Sequence, residues 1–409
     1  MKDIIQKSCG LDIHQAIIVA CIQRQGYQKQ IRTYGTTTKE LESLKQWLKY
    51  EEITHIAMES TGIFWKPVYN VLEDSQWELL LVNARHMKNV PGRKTDVQDC
   101  EWICKLLRAG LLKGSFIPPM DIQQLRSLTR YQKTLQHLIQ NEKNRVHKLL
   151  QECNIKITQV LSDVFGVAGM NILTDLSNGI TDPDRLARHM EKNKRLVHKK
   201  EQAAYCLKGK ISVEHQIMLK SMLQTIAFYG EHITRLDKEV RELIKPYQRE
   251  HHLLQTIPGI KEKAANHIIA ELSANMDSFP DEKHLSSWAG LCPGNNESAG
   301  KKKGSRLKHG NNHLRAILTE CAWAAVKTNN TYFRAKFYKL SPRMGRKQAL
   351  AAIAHKILIN CYHVLKYKVP FKELGFDYFT KGKEEKLVQH YKKKLLNLGY
   401  NISIESIND

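Results

Sequence analysis

SCGLDI (residues 8–13) and AIIVACIQ (residues 16–23) are the two runs from which the fold can be read. Both are short runs that read as β, the second with Ile17, Ile18, Val19 and Ile22, and only His14 and Gln15 separate them, so they predict two strands joined by a tight turn. A third strand candidate, YQKQIRTYG, ends at Gly35. A helix is expected from Thr38 to Tyr50, because Leu41, Leu44 and Leu48 fall on one stripe. ITHIAMES (residues 53–60) predicts a strand, residues 64–72 a helix, and WELLLVN (residues 77–83) another strand. A last helix is expected from Asp96 to Leu112, with Ile103, Leu106 and Leu107 on its buried side. Three consecutive strands followed by helix, strand, helix, strand and helix describe an α/β layer with a mixed sheet.

That order is compatible with the ribonuclease H-like fold. From residue 121 the β-branched alternation stops and helical periodicity replaces it. Leu219, Met222, Ile226, Tyr229, Ile233, Leu236, Val240, Leu243 and Tyr247 follow the 3,4 spacing of a coiled-coil seam. A long helix from Ile122 to about Cys153 carries a comparable stripe at Leu125, Leu128, Tyr131, Leu135, Leu138, Val146 and Leu149. Periodicity does not choose between pairing within one chain and pairing across subunits. From His251 onward, LLQTIPGIKEKAANHIIAEL predicts a helix, a Pro-Gly turn and a second helix opening near Lys261. A Gly- and Asn-rich stretch follows, then helices from His313 to Lys327 and from Lys347 to Lys366, and a Lys-rich tail after Thr380 that predicts a surface helix. The division expected is residues 1–115 as an α/β domain, 116–250 as a helical coiled-coil region for oligomerisation, 251–380 as a mainly α domain with a helix-hairpin-helix-like element, and 381–409 as a basic tail.

The chain has 409 residues and a net charge of +23, so its surface attracts polyanions in a salt-dependent way, and nucleic acid is the default partner. Apolar residues make up 42%, which with 22 glycines lies in the ordinary globular range of about 45–50% and excludes dominant disorder. The longest apolar run, Ala16 to Ile22, falls far short of the ~20 residues of a membrane helix. No membrane partner is expected. The opening MKDIIQKSCGLD is interrupted by Asp3, Gln6, Lys7 and Ser8 and does not resemble a secretory signal. Nine cysteines without a CxxC pair form neither a disulfide framework nor a zinc knuckle, and predict reduced, buried thiols in a cytoplasmic protein.

Four carboxylates stand out. Asp12 lies in the first strand, Glu59 closes the ITHIAMES strand, and Asp96 and Asp99 sit one turn apart at the start of a helix, where i and i+3 share a face. Asp12 and Glu59 are embedded in apolar sequence, where an unpaired carboxylate is costly to bury. Four convergent carboxylates form a hard oxygen site suited to Mg²⁺ or Mn²⁺. In a basic protein, such a site predicts phosphoryl transfer on nucleic acid. Each residue alone has a plainer reading: Asp96 and Asp99 as acids favoured at a helix N-terminus, Glu59 as a strand-end surface residue.

The IPGI turn can present backbone N–H groups to a phosphate, with Lys261 and Lys263 adding charge, although a Pro-Gly pair is also an ordinary connector. Between Gly294 and Gly310 stand Lys301, Lys302, Lys303, Arg306 and Lys308 against only Glu297. This composition suits a nucleic-acid backbone or, equally, a solvated loop. Ser298 precedes the basic run. No GxSxG elbow or Ser-His-Asp order surrounds it, so its local chemistry does not single it out from Ser287 or Ser305.

Taken together, GLDIH, AMESTG, GRKTDVQD, TIPGI, GLCPGNNESAGKKKG and HGNNHLR resemble the DEDD transposases of bacterial insertion sequences related to the Piv and MooV DNA invertases, in order and over nearly the whole chain. The resemblance implies a RuvC-like, ribonuclease H-fold N-terminal domain, a coiled-coil middle and a C-terminal transposase domain. It implies Asp12, Glu59, Asp96 and Asp99 as the metal-binding catalytic tetrad and Ser298 as the nucleophile that forms a 5′-phosphoserine link to DNA. It further implies that Lys261, Lys263, Lys301, Lys302, Lys303, Arg306, Lys308 and Arg315, the last within HGNNHLR, contact nucleic acid. The partners it implies are double-stranded donor and target DNA, a structured guide (bridge) RNA, and other copies of the chain in a dimer of dimers, at the bacterial nucleoid. Two other readings remain. One is a RuvC-like structure-specific endonuclease that uses the same carboxylates with water as nucleophile; the other is an inactive nucleic-acid-binding remnant.

Overall fold

A computed structural model describes residues 4–24, 26–60, 62–73, 76–82, 96–292, 296–298, 301–304, 309–379 and 384–400, with the backbone alone at 96–98, 296–298, 301–304 and 384–387. The chain divides into two compact units, Met1–Ile117 and Pro118–Asp409.

In the first unit, β1 (Lys7–Ile13), β2 (Ile17–Arg24), β3 (Gln30–Gly35), β4 (His55–Glu59) and β5 (Glu78–Val82) form one sheet in the order β3-β2-β1-β4-β5. The first three strands pair antiparallel, whereas β1–β4 and β4–β5 are parallel. This topology is consistent with a ribonuclease H-like fold. Alternate side chains face opposite ways, so Cys9, Leu11, Ile13, Ile18, Ala20, Ile22, Ile56 and Met58 share one core with Leu41, Leu44, Trp47 and Leu48 of α1 (Thr38–Tyr50) and with Val68 and Leu72 of α2 (Trp65–Leu72). The opposite face carries small residues, and α3 (Asp96–Arg108) lies on it through Cys100, Ile103, Cys104, Leu106 and Leu107, which meet Val19, Cys21, Ala57 and Val82.

Gly10 is where that helix comes closest. A Cβ built there would stand 2.3 Å from the Cys100 carbonyl oxygen and 2.5 Å from the Cys104 nitrogen. No side chain fits, so glycine sets the spacing between strand and helix. Sequence periodicity carries this helix on to Leu112, but it stops at Arg108. Gly110, at φ +67°, donates to the Leu107 carbonyl at 2.9 Å, and Leu111 donates to the Leu106 carbonyl at 3.1 Å. This is a left-handed glycine cap, which ends the helix before Leu112.

The second unit is built on two long helices, α4 (Met120–Glu152) and α8 (Val213–Ile244), which pair antiparallel: Tyr247 donates to Asp121, Gln132 Nε2 donates to Asp237 Oδ1 at 2.9 Å, and Val146 and Leu149 meet Leu219. Of the two pairings open to the seam, the one within the chain is thus present. Between these helices the chain makes a small helical subdomain containing α5 (Val167–Ser177), α6 (Pro183–Ala187) and α7 (Lys200–Cys206), with Ile155, Ile172, Leu173, Leu176, Leu186, Met190 and Leu207 as its core. The period-3.5 reading did not contain this subdomain. After α8 come α9 (Gln248–Gln255), α10 (Glu262–Leu272) and α11 (Glu282–Trp288), then a hairpin of β6 (Asn296–Ser298) and β7 (Lys301–Gly304). Helices α12 (Asn312–Lys327), α13 (Tyr332–Met344) and α14 (Arg346–Tyr367) pack around buried Leu318, Phe333, Ile357 and Tyr362, and α15 (Glu384–Asn397) follows.

One carboxylate ties this unit together across a long sequence separation. Glu271, 2% exposed, accepts from Arg130 Nε at 2.7 Å and Nη2 at 2.8 Å, and from Asn311 Nδ2 at 2.6 Å. Arg126 donates to the carbonyls of Ala270 at 2.9 Å and Glu271 at 2.8 Å, satisfying the open C-terminal end of α10. Burial alone would raise the Glu271 carboxyl, but the hydrogen bonds and charge of Arg130, with Arg126 and Asn311, hold it below the ordinary range. Burial lowers His267, with Lys133 adding to it, and likewise His313, with Arg130 adding to it.

Two outcomes follow from this packing. Gly10→Ala should destabilise the chain by about 1–3 kcal/mol, an overpacking cost, read as a lower denaturant midpoint with far-UV circular dichroism; an unshifted midpoint would mean that α3 does not rest on β1. A histidine held below its unfolded value stabilises the fold above that value, so stability should begin to fall as pH drops below about 6.5. Glu271, whose folded value is depressed, adds stability that is kept above its unfolded value of about 4.3 and lost only as pH falls further. Denaturant titrations at stepped pH should therefore show two acid-side losses, and Glu271→Ala should reduce the lower one, to which Glu250 and Asp281, also held low, contribute as well.

Candidate nuclease-like centre and nucleic-acid interface

Two of the four sequence-predicted carboxylates can be placed from strand register. Leu11 of β1 pairs with Met58 of β4. Asp12 and Glu59 are the next residue on each strand, so they sit side by side at the carboxyl end of two parallel strands. Two residues earlier on each strand stand Gly10 and Ala57, both packed on α3. By the two-residue period, Asp12 and Glu59 belong to the same face.

The direction of α3 supplies the rest. Ile4 and Ile5 donate to the Arg108 carbonyl at 2.8 and 3.1 Å, Ser8 Oγ lies 3.3 Å from Cys104 Sγ, and Gly10 abuts Cys100. The helix therefore runs antiparallel to β1, and its first turn, with Asp96 and Asp99, lies toward Asp12. Asp12 is 7% exposed; Glu59 and Asp99 are half-buried. For Asp96 only the backbone is described, as the first residue of α3.

His14, two residues past Asp12, brings Nε2 to 3.2 Å from Asp12 Oδ2 and stays 45% exposed. Sequence reasoning did not single it out, although its place in GLDIH beside an aspartate at i−2 was the available signal. Among the described residues, no three His, Cys, Asp or Glu side chains gather in the arrangement of a metal site. The donor chemistry nonetheless suits a hard cation: the set is entirely carboxylate, its thiol neighbours Cys100 and Cys104 are buried with the sheet, and Asp12 is largely withdrawn from water.

The second candidate site lies in the second unit. Ser298 ends β6, and its register partner is Lys301, which opens β7; Glu297 pairs with Lys302. Lys303 follows on β7, and Arg306 and Lys308 lie outside the described residues. The two ends of the segment carrying this hairpin meet: a Cβ on Gly310 would stand 2.3 Å from the Gly290 nitrogen. Just beyond, Asn311 caps α12 by accepting from Leu314 N at 3.1 Å while its amide reaches Glu271. Glu271, Arg126, Arg130 and Asn311 thus fasten the root of the Ser298 segment. Sequence reasoning missed them, although Glu271 in IIAEL had the signal that marked Glu59, an acid inside an apolar run.

The remaining basic residues are dispersed. Lys261 is exposed at the Pro-Gly turn, Lys263 pairs with Asp237 at 3.2 Å, and Arg315 Nη2 donates to Asn312 Oδ1 at 2.5 Å. Gly259 in that turn, at φ +91°, sits where a Cβ would stand 2.2 Å from the Cys321 carbonyl oxygen. Its glycine is required by packing against α12, independently of any phosphate.

Comparison with known proteins divides along the same lines. A transposase model of the DEDD type named for IS110 matches residues 9–155, a span that holds Asp12, Glu59, Asp96 and Asp99. A second model, described as the transposase IS116/IS110/IS902 family, matches residues 251–339, which hold Ser298 and the basic residues after it. Among curated proteins, the chain is 33% identical over 153 residues to the pilin gene-inverting protein of Moraxella bovis and 32% identical over 153 residues to that of Moraxella lacunata. Each match covers 36% of this chain and 47% of the relative, about half the length of those proteins. With two family segments matched in order, the first running through α4 and the second beginning beyond α8, the chain belongs to the IS110/IS116/IS902 family of transposases.

Proposed function

We propose that this protein is an insertion-sequence recombinase that cuts and rejoins double-stranded DNA through a covalent phosphoserine at Ser298. The observation that carries the reading is the meeting of Asp12, Glu59 and the first turn of α3 at one end of the sheet, in a chain whose second matched segment supplies a serine and a run of cations. Asp12, Glu59, Asp96 and Asp99 would hold a divalent cation, Mg²⁺ or Mn²⁺, which when bound offsets charge on the attacking and leaving oxygens of a phosphodiester.

Ser298 Oγ attacks phosphorus; the Oγ–P bond forms, the P–O3′ bond breaks, and the leaving oxygen departs as a 3′-hydroxyl. The phosphoserine conserves the phosphodiester bond, so attack by another 3′-hydroxyl rejoins DNA without a further energy source. Lys261, Lys263, Lys301, Lys302, Lys303, Arg306, Lys308 and Arg315 would neutralise backbone phosphates, which fixes position without reading sequence. Sequence choice would then rest with a paired guide RNA, as in other systems where base pairing does the reading.

The carboxylates and Ser298 belong to different compact units, so the reaction requires both. The division of residues 118 onward into an oligomerisation region and a transposase domain, and assembly as a dimer of dimers, are part of this reading. They are supported by the seam on α8: Met222, Ile226, Tyr229, Ile233 and Leu236 stay half-buried although α4 is packed beside them, and Phe228 is 55% exposed. A seam left half open is a surface that a second copy can cover.

Three measurements bear on this. Incubated with Mg²⁺, labelled element-end DNA and its copurifying RNA, the wild-type protein should give a denaturation-resistant protein–DNA adduct, and Ser298→Ala should not; equal cutting by Ser298→Ala without adduct would replace this reading with water-mediated hydrolysis. Asp12→Asn and Glu59→Gln should lower turnover by at least about a hundredfold, as expected when charge stabilisation in the transition state is removed, while DNA affinity in a filter-binding assay stays within about threefold. Changing Lys301, Lys302 and Lys303 together to Ala should reduce the slope of log affinity against log salt by about 0.9 for each phosphate that is no longer neutralised; an unchanged slope would make the hairpin a bystander.

A further inference from the structure

From residue 156 to residue 212, the subdomain between α4 and α8 lies outside both matched family segments, and the proposed reaction assigns it nothing. Its second half, RLARHMEKNKRLVHKKEQAAYCLKGK (residues 185–210), holds nine Lys or Arg and two Glu. Its buried side chains are Leu186, Ala187, Met190, Ala203, Ala204, Cys206 and Leu207, all in the subdomain core. Arg185, Arg188, Lys192, Lys194, Arg195, Lys208 and Lys210 are left at the surface.

Three of the nearby acids have partners, while Asp184 and Glu201 lie at the surface among the cations. Glu191 pairs with Lys200 at 2.5 Å, Asp175 meets His189 at 2.7 Å, and Asp182 caps α6 by accepting from Asp184 N at 3.1 Å. A coat that served only solubility would mix its signs evenly; this stretch does not. In the same stretch Tyr205 is 75% exposed, with Lys208 Nζ 5.8 Å from its ring centre. An uncovered tyrosine among cations is the combination that holds unpaired bases, the ring stacking on a base while the cations meet the flanking phosphates.

We propose that residues 185–210 form a second nucleic-acid surface, distinct from the β6–β7 hairpin, whose occupant is a single-stranded or looped strand with at least one unpaired base. The surface makes no use of Ser298, so it can be tested in full-length Ser298→Ala protein, where its failure cannot be confused with failure of the covalent chemistry.

Fluorescence anisotropy with labelled oligo-U, oligo-dT and a duplex of equal length reads the outcome. Arg188→Ala, Lys192→Ala, Lys194→Ala and Arg195→Ala combined should lower the salt slope for the single strands by about 0.7 for each phosphate that is no longer neutralised. The decrease should persist in a chain that also lacks Lys301, Lys302 and Lys303. Tyr205→Ala should weaken single-strand binding by about 5- to 150-fold, the range of one base stack, and Tyr205→Phe should restore it. These five side chains are all on the surface, so matching circular dichroism and thermal midpoints are expected. An unchanged slope in the quadruple variant, or Tyr205→Ala without effect on either single strand, would overturn the proposal. Equal weakening on the duplex and the single strands in Tyr205→Ala would overturn it too, since a duplex offers no unpaired base to stack.

Discussion

Where a helix backbone can lie against a strand is decided by what the strand puts between them. On β1 the residue facing α3 at the crossing is Gly10, and the carbonyl of Cys100 and the amide of Cys104 occupy the space that any side chain would fill. With the approach fixed, the cysteines of α3 close the layer against Val19 and Cys21, and the helix axis is held antiparallel to β1 from Arg108 back to its first turn. The parallel pairing of β1 with β4 then ends with Asp12 beside Glu59. The placement of Asp12 beside Glu59, with the first turn of α3 directed toward that end of the sheet, follows from one glycine and one strand register, each of them a packing constraint before it is a chemical one.

The second unit is held by a different kind of bond. Glu271 is charged, nearly dry, and shared among Arg130, Asn311 and, through its own carbonyl, Arg126. A buried carboxylate is tolerated only when such donors surround it, and the parts they join are α4, α10 and the residue that caps α12. The long helix, the Pro-Gly turn element and the root of the hairpin are thereby made to depend on each other, although 141 residues separate Arg130 from Glu271.

Much of this was legible in the residues. The strands around Leu11, Ile18 and Met58 are short apolar runs, the helix from Thr38 repeats leucine at helical spacing, and Asp12 and Glu59 stand out because they interrupt such runs. Other features were not. Gly10 reads as an ordinary strand glycine until the helix above it is known. The end of α3 at Arg108 depends on the left-handed Gly110, which periodicity alone overruns. The subdomain from Cys153 to Ser212 is made of helices too short to show a period, so the two long helices around it masked it. Glu271 could have been marked as an acid in an apolar run, but its partners were chosen by tertiary contact, which no local pattern records.

The way that subdomain joins the long helices has a consequence of its own. Its two ends are stitched together: Lys210 N donates to the Cys153 carbonyl at 3.1 Å, Lys156 N donates to the Cys206 carbonyl at 2.8 Å, and Gly209 is pressed against Cys153 so closely that a Cβ would stand 2.3 Å from its carbonyl oxygen. A chain that leaves and re-enters a scaffold through one closed neck meets the loop-closure entropy at the neck itself, whatever the length of what lies between. Inside the neck the excursion's core is continuous with Val146, Leu149 and Leu150 of α4 and Leu219 of α8, so residues of the subdomain that face those four are bound to the helical pair while its outer surface is not. Such a joint is a grafting point, at which the outer surface of the excursion could change over evolution, or by design, while the four long-helix residues beneath it are kept.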